Sequence, residues 1–211
     1  MPKLLIAGAK GFAKELLETV LQENAATDVA FYDDTSNDLP ERLFDKFRII
    51  RGANEAARYF AEVDQGFAIG VGSPALRAAF FEKLVALGGR PKTVVSPFAK
   101  VGQMANVIGE GTCILADAII ESSNVIGKGT LIHVGAFVSH DVTVGEFCEI
   151  SPRANLLGAV CVGNRCRVGT ASTLLPKVKL GDFVNVGAGA VVTKDVPDGL
   201  TVVGIPAGPL L

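Results

Sequence analysis

Only two histidines occur in this chain of 211 residues, His133 and His140. A neutral imidazole is the commonest proton acceptor in catalysis at ordinary pH. Asp141 follows His140 directly. The chain repeats in sixes, and counting three repeats back and three forward from His140 reaches Ser122 and Gly158. If three repeats make one layer, Gly158 lies one layer from His140, and its N–H can face a group held near the imidazole. A base and an oxyanion donor one layer apart suit acyl transfer. A histidine at the corner of a repeat is equally a plain solvated side chain, and spacing alone leaves both readings open. His133 reads as structural or as a secondary substrate contact. The cysteines Cys113, Cys148, Cys161 and Cys166 lack zinc spacing, and two histidines are too few for a three-histidine zinc site, so no metal is expected. Four thiols in a chain this long point to a reducing cytoplasm rather than a disulfide framework.

A second set of residues lies near the start. Gly8-Ala-Lys10-Gly11-Phe12-Ala follows an apolar run and opens a helical stretch, an incomplete dinucleotide fingerprint whose third glycine place holds Ala13 or Lys14. Backbone N–H groups at such a turn can meet an anion or a ribose. Asp33-Asp34 ends the next strand, where an acid meets a ribose or base, and Val71-Gly72-Ser73-Pro74 ends another. Three strand ends on one edge make a crevice suited to a ligand.

The elements that must position these residues fall into two halves. Eleven of the 14 aromatic residues precede Val101, whereas 16 of the 24 glycines follow it. The shift places a joint around Ser96-Pro97-Phe98 and gives domains 1–96 and 97–211. In the first, apolar runs at 3–8, 28–34, 47–50, 66–71 and 93–95 alternate with helical stretches at 12–21, 54–61 and 74–87. That alternation predicts an α/β, Rossmann-like domain with a small parallel sheet. In the second, every sixth residue from Ile108 to Val192 is aliphatic, fifteen in succession, and the residue four places after each is small or β-branched. An aliphatic-Gly pair recurs at every third repeat, at Ile108, Ile126, Val144, Val162 and Leu180.

Six residues make a short strand and a corner, and three such sides close a triangular coil, the hexapeptide β-helix. Coils stacked ~4.8 Å apart give five turns spanning roughly 24 Å. His140 then falls two places after an inward aliphatic residue and His133 only one. Cys148 and Cys166 share the small-residue column inside the prism, and Cys113 and Cys161 share the adjacent corner column. Twenty basic against 22 acidic residues, with neither half strongly biased, argue against nucleic acid or an anionic membrane as partner. No apolar run approaches the ~20 residues that span a bilayer, and Met1-Pro2-Lys3 leads straight into a strand rather than a signal peptide.

Further marks accompany these: Phe31-Tyr-Asp-Asp34, Ala68-Ile-Gly-Val-Gly-Ser73, Val138-Ser-His-Asp-Val142, Val144-Gly-Glu-Phe147, Val186-Gly-Ala-Gly-Ala-Val-Val192 and Gly204-Ile-Pro-Ala207. In this order and spacing, nearly the whole chain resembles the bacterial sugar O- and N-acetyltransferases that join a Rossmann-like domain to a left-handed parallel β-helix. That family includes UDP-4-amino-sugar (bacillosamine) and GDP-perosamine N-acetyltransferases and sialic acid O-acetyltransferases. The resemblance implies acetyl-CoA as co-substrate, a nucleotide sugar as acceptor, and a homotrimer with active sites between neighbouring β-helices. It makes His140 the general base, with Asp141 orienting it and the Gly158 amide binding the thioester oxygen. Backbone near Thr170 and Ala188 then holds the pantetheine arm, and Lys10, Gly11, Phe12, Asp33, Asp34 and Gly72 hold the nucleotide. His133 stands where relatives often carry Asn near the sugar, and Phe12 where many carry His. Glu149 replaces a His that touches acetyl-CoA in some relatives, so that contact does not carry over. The expected activity is N-acetylation of a nucleotide-linked amino sugar in the cytoplasm. Sugar O-acetylation and a non-catalytic β-helix scaffold are the alternatives.

Overall fold

The structure, a computed structural model, describes residues 3–25 and 27–210; Met1 and Pro2, where the chain is expected to open without a signal peptide, lie outside them. The continuous apolar runs of the first half form strands covered on both faces, as a parallel sheet requires. They are β1 (Lys3–Ala7), β2 (Asp28–Tyr32), β3 (Arg42–Leu43), β4 (Phe47–Ile50), β5 (Gly66–Ile69) and β6 (Arg90–Pro91), in the order β3-β4-β2-β1-β5-β6. All neighbours run parallel except the β3–β4 hairpin. The crossovers carry α1 (Gly11–Glu23), α2 (Ala53–Glu62) and α3 (Pro74–Ala86). The chain leaves β1 for β2 on one side and later returns to β5 on the other. The ends of β1, β2 and β5 therefore flank the switch point where such sheets bind ligands.

The second half winds a triangular coil with three parallel faces. Strands Cys113–Ile114, Leu131–Ile132, Glu149–Ile150, Arg167–Val168 and Asn185–Val186 stack on the first face. The second runs from Lys100–Val101 to Val191–Val192, and the third from Val107–Ile108 to Lys179–Leu180. Each strand pairs with the one three sides later, as in Phe137 with Asn155 and Thr143 with Cys161. Both periodic columns point inward. Ile132, Val138, Ile150 and Leu156 are fully buried, and so are Ala136, Val142, Cys148 and Ala154. Burying each larger aliphatic side chain contributes about 1.5–3 kcal/mol. The Gly that follows an aliphatic residue once per coil has a steric cause: a Cβ on Gly145 would lie 2.6 Å from the Gly163 carbonyl oxygen in the next coil. A hairpin formed by Thr201–Val203 and Gly208–Pro209 ends the first face, and Ala207 packs against the core there.

Two expectations need correction. The joint lies before residue 96, because Val94–Val95 already pairs with Cys113–Ile114, while Lys92 N–H still bonds Phe67 in β5. Ser96-Pro97-Phe98 is thus the first corner of the coil, tied by Ser96 N–H to the Ile114 carbonyl, and not a linker. Cys113 is not a corner residue. It sits outward on the first face and is buried with Leu131 and Val94 among Ala13, Leu16 and Leu17 of α1. Phe147 of the coil likewise packs edge-on to Phe81 of α3, with ring centroids 5.2 Å apart. The N-terminal domain therefore covers part of the first face.

Candidate active site

His140 and Asp141 are the two corner residues between the second and third faces. The corner is made by a left-handed residue every six positions, and Asp141, with φ 59°, is one of them. Asp tolerates that region better than most residues. The two side chains meet there, with His140 Nδ1 2.8 Å from Asp141 Oδ2. A carboxylate only accepts, so Nδ1 donates in this bond, and in the neutral tautomer so fixed Nε2 holds the lone pair. One coil on, Gly158 lies under the ring: a Cβ there would meet His140 Cε1 at 2.7 Å and Nε2 at 2.8 Å. The Gly158 carbonyl accepts from Lys177 N–H, while its own N–H donates to no acceptor among the described residues. Base and free donor therefore stand against each other on an exposed edge.

The crevice of the first domain is built by close backbone approach. A Cβ on Gly70 would lie 2.6 Å from Ile6 Cγ2, so β1 and β5 converge at their ends. Gly11 opens α1 with no atom within 4 Å of where its Cβ would be, and the helix start has no side-chain cap. Lys10 reaches out to Asp38 at 2.8 Å. Asp33 is buried and bonded within the chain. Its carboxylate is 4% exposed and accepts five hydrogen bonds, from Ala9 N–H and from the N–H and hydroxyl groups of Thr35 and Ser36. With its lone pairs so occupied, Asp33 ties the β2 loop to the β1 turn and so shapes the crevice. Asp33→Ala should accordingly destabilise the domain by about 3 kcal/mol. Urea unfolding checks this, and an unchanged midpoint contradicts it.

Asp34 is held by the Tyr32 hydroxyl at 2.8 Å and by Lys83 of α3. Burial alone raises its carboxyl, but the bonds from Lys83 and Tyr32 outweigh burial and hold it below the usual carboxylate range. Burial and the Asp34 carboxylate raise the Tyr32 phenol.

The structure brings Phe12 and His133 together across the domains, with ring centroids 5.6 Å apart. His133 Nδ1 accepts from Val134 N–H, and Nε2 lies 3.4 Å from Glu15. Burial lowers the His133 pKa below the ordinary imidazole value, only partly opposed by Glu15 and Glu149. Gly72 faces Glu149, which Arg167 holds at 2.8 Å. Thr170 and Ala188 stack one coil apart on the corner after the first face, the same edge as His133. The His140 edge lies one side of the prism away, at most about 20 Å for six residues at ~3.3 Å each. The expected site residues thus fall on two edges of one chain. Among the described residues, no cluster of three or more His, Cys, Asp or Glu could hold a metal ion, and no helix is long and apolar enough to cross a membrane.

Residues 3–84 match the PglD N-terminal domain. The acetyltransferase domain of PglB from Neisseria gonorrhoeae, in complex with acetyl coenzyme A, is 30% identical, covering 99% of this chain and 98% of that one with a TM-score of 0.90. The chain belongs to the bacterial sugar acetyltransferases. A mutant perosamine N-acetyltransferase from Caulobacter crescentus, in complex with CoA and GDP-perosamine, is 25% identical over 100% of this chain and 98% of that one, with a TM-score of 0.91. WeeI from Acinetobacter baumannii is 25% identical over the whole of both chains, with a TM-score of 0.89. No curated protein matches the chain in sequence. The expected fold of this family, a Rossmann-like domain joined to a left-handed β-helix, is the one observed, and the protein is an acetyltransferase.

Proposed function

We propose that this acetyltransferase moves the acetyl group of acetyl-CoA directly onto the amino group of a nucleotide-linked amino sugar. The observation that carries the reading is the His140–Asp141 pair, at 2.8 Å, lying over Gly158 with its free N–H. The solved structures with acetyl coenzyme A and with CoA and GDP-perosamine support the two substrate classes. The neutral amine attacks the thioester carbonyl, forming the C–N bond. His140 Nε2 takes the proton released from nitrogen, and Gly158 N–H donates to the carbonyl oxygen as it gains charge. The C–S bond then breaks, and His140 returns the proton to the departing thiolate. A positioned base contributes typically ~10²- to 10⁴-fold. The uncapped start of α1 offers N–H groups to a diphosphate, a use its partial charge favours. Binding is tested by thermal shift against UDP, GDP, dTDP and CDP; stabilisation by none of them contradicts a nucleotide-linked acceptor.

Thr170 and Ala188 would hold the pantetheine arm from the edge opposite His140, and this arrangement favours a trimer. Thr170 and Ala188 of one chain and His140 of its neighbour can meet where two prisms pack side by side. Exposed apolar residues on the first coils, Met104, Val107, Ile119 and Val125, suit burial between copies. Light scattering should return three times the 22.0 kDa chain mass; a monomer at micromolar concentration defeats the interfacial site.

A further inference from the structure

We propose that Arg77 is a positioning residue that fixes the nucleotide crevice against the β-helix, a role that rests on the nucleotide-sugar reading above. Arg77 stands in the first turn of α3 and has no exposed surface. Arginine is almost never so buried unless paired, because removing its charge from water is costly. Here the guanidinium is spent on three carbonyls. Nη1 donates to Val71 at 2.8 Å and to Ile69 at 3.2 Å, and Nε donates to Gly129 at 2.7 Å. Nη2 is buried without a hydrogen-bond partner.

The three carbonyls belong to parts that must be aligned for transfer. Ile69 ends β5, and Val71 begins the turn that leads to Gly72. Val71 packs so closely on the β1 turn that a Cβ on Gly8 would lie 2.7 Å from its Cγ1. Fixing Val71 therefore also fixes the turn that leads through Ala9 to Lys10 and Gly11. Gly129 is a coil corner with φ 62°, four residues before His133. One side chain thus sets two strand-end turns of the crevice against the coil that leads to His133 and, seven residues later, His140. Other contacts also hold the domains together. Leu131 and Val94 pack with α1, and Phe147 packs with Phe81, through apolar contacts that do not involve the guanidinium. A residue required only for packing has no need of a buried charge aimed at carbonyls from both domains. The chemistry of Arg77 matches placement.

Arg77→Lys and Arg77→Met are compared with the wild-type protein by calorimetric binding of UDP, GDP, dTDP and CDP, and separately of acetyl-CoA. The diphosphate that binds wild type should bind Arg77→Met at least about ten-fold more weakly, the scale of losing one well-placed hydrogen bond to a charged group. Arg77→Lys keeps the charge but not the fork, and should recover part of the loss. Acetyl-CoA affinity should stay within about two-fold in both, and the KM for the nucleotide sugar should rise with a smaller change in kcat. Variants that fold and bind the diphosphate as wild type overturn the proposal. So do parallel losses for both ligands, or failure of both variants to fold, since each makes Arg77 a general structural residue. A wild-type protein that binds none of the four diphosphates overturns the nucleotide reading itself, and that failure is visible before either variant is measured.

Discussion

His140→Ala should lower kcat by at least about 10²-fold, some 2.7 kcal/mol of transition-state stabilisation at ~1.36 kcal/mol per decade. The ring is exposed at a corner and contributes nothing to the prism core, so oligomeric state and acetyl-CoA affinity should be unchanged. The loss should appear in kcat and kcat/KM alike, as for an interaction made only in the transition state. His133→Ala is the matched control. That ring is mostly buried, accepts from Val134 N–H and packs on Phe12, so its removal should disturb acceptor affinity more than turnover. Steady-state kinetics of both variants with one acceptor separate the two parts. Near-normal turnover in His140→Ala rules out the general-base mechanism and points to a route in which the substrates supply the proton transfer.

Gly158→Ala should be nearly as damaging, although it adds a single methyl group. The new Cβ would stand 2.7–2.8 Å from the His140 ring, closer than real Cβ contacts occur, and the imidazole must move. The methyl also crowds the space beside Nε2 where the proposed oxyanion would meet the Gly158 N–H. Loss of one oxyanion donor typically costs ~10²- to 10³-fold in kcat. Gly158 lies on the surface corner outside the inward columns, so the melting temperature should stay close to wild type. A double variant gives a sharper reading. If the base and donor act on one reacting carbon, Gly158→Ala added to His140→Ala should cost far less than it does alone. Full additivity would mean that the two residues act separately.

The coil and the meeting of His140 with Gly158 could be read from the sequence because a prism interior admits one kind of side chain per column. From Val107 to Val192 each strand pairs with the one three hexads on, so placing Gly158 beneath His140 required only counting. The first coil broke the count. It holds one extra residue, pairing Val94 with Cys113 and Lys100 with Ile119, and this hid the true joint between domains. Asp33 was visible as an acid at a strand end, but its five intrachain bonds depend on how the loop after β2 folds back. Arg77 gave no signal, since an arginine in a helix ordinarily reads as solvated surface. Only the packing of α3 against the coil at Gly129 buries it. The meeting of Phe12 with His133 likewise joins two periodic patterns, and neither pattern encodes where it touches the other.

The most direct test supplies the protein with acetyl-CoA and a nucleotide-linked amino sugar whose nucleoside diphosphate binds the crevice. Coenzyme A thiol release is followed, and the product is then examined by mass spectrometry and NMR. Thiol release should depend on the acceptor, match it mole for mole, and yield an amide at the sugar nitrogen. An ester on a sugar hydroxyl would contradict N-acetylation, and no acceptor-dependent thiol release from any amino-sugar nucleotide would contradict the proposed reaction as a whole.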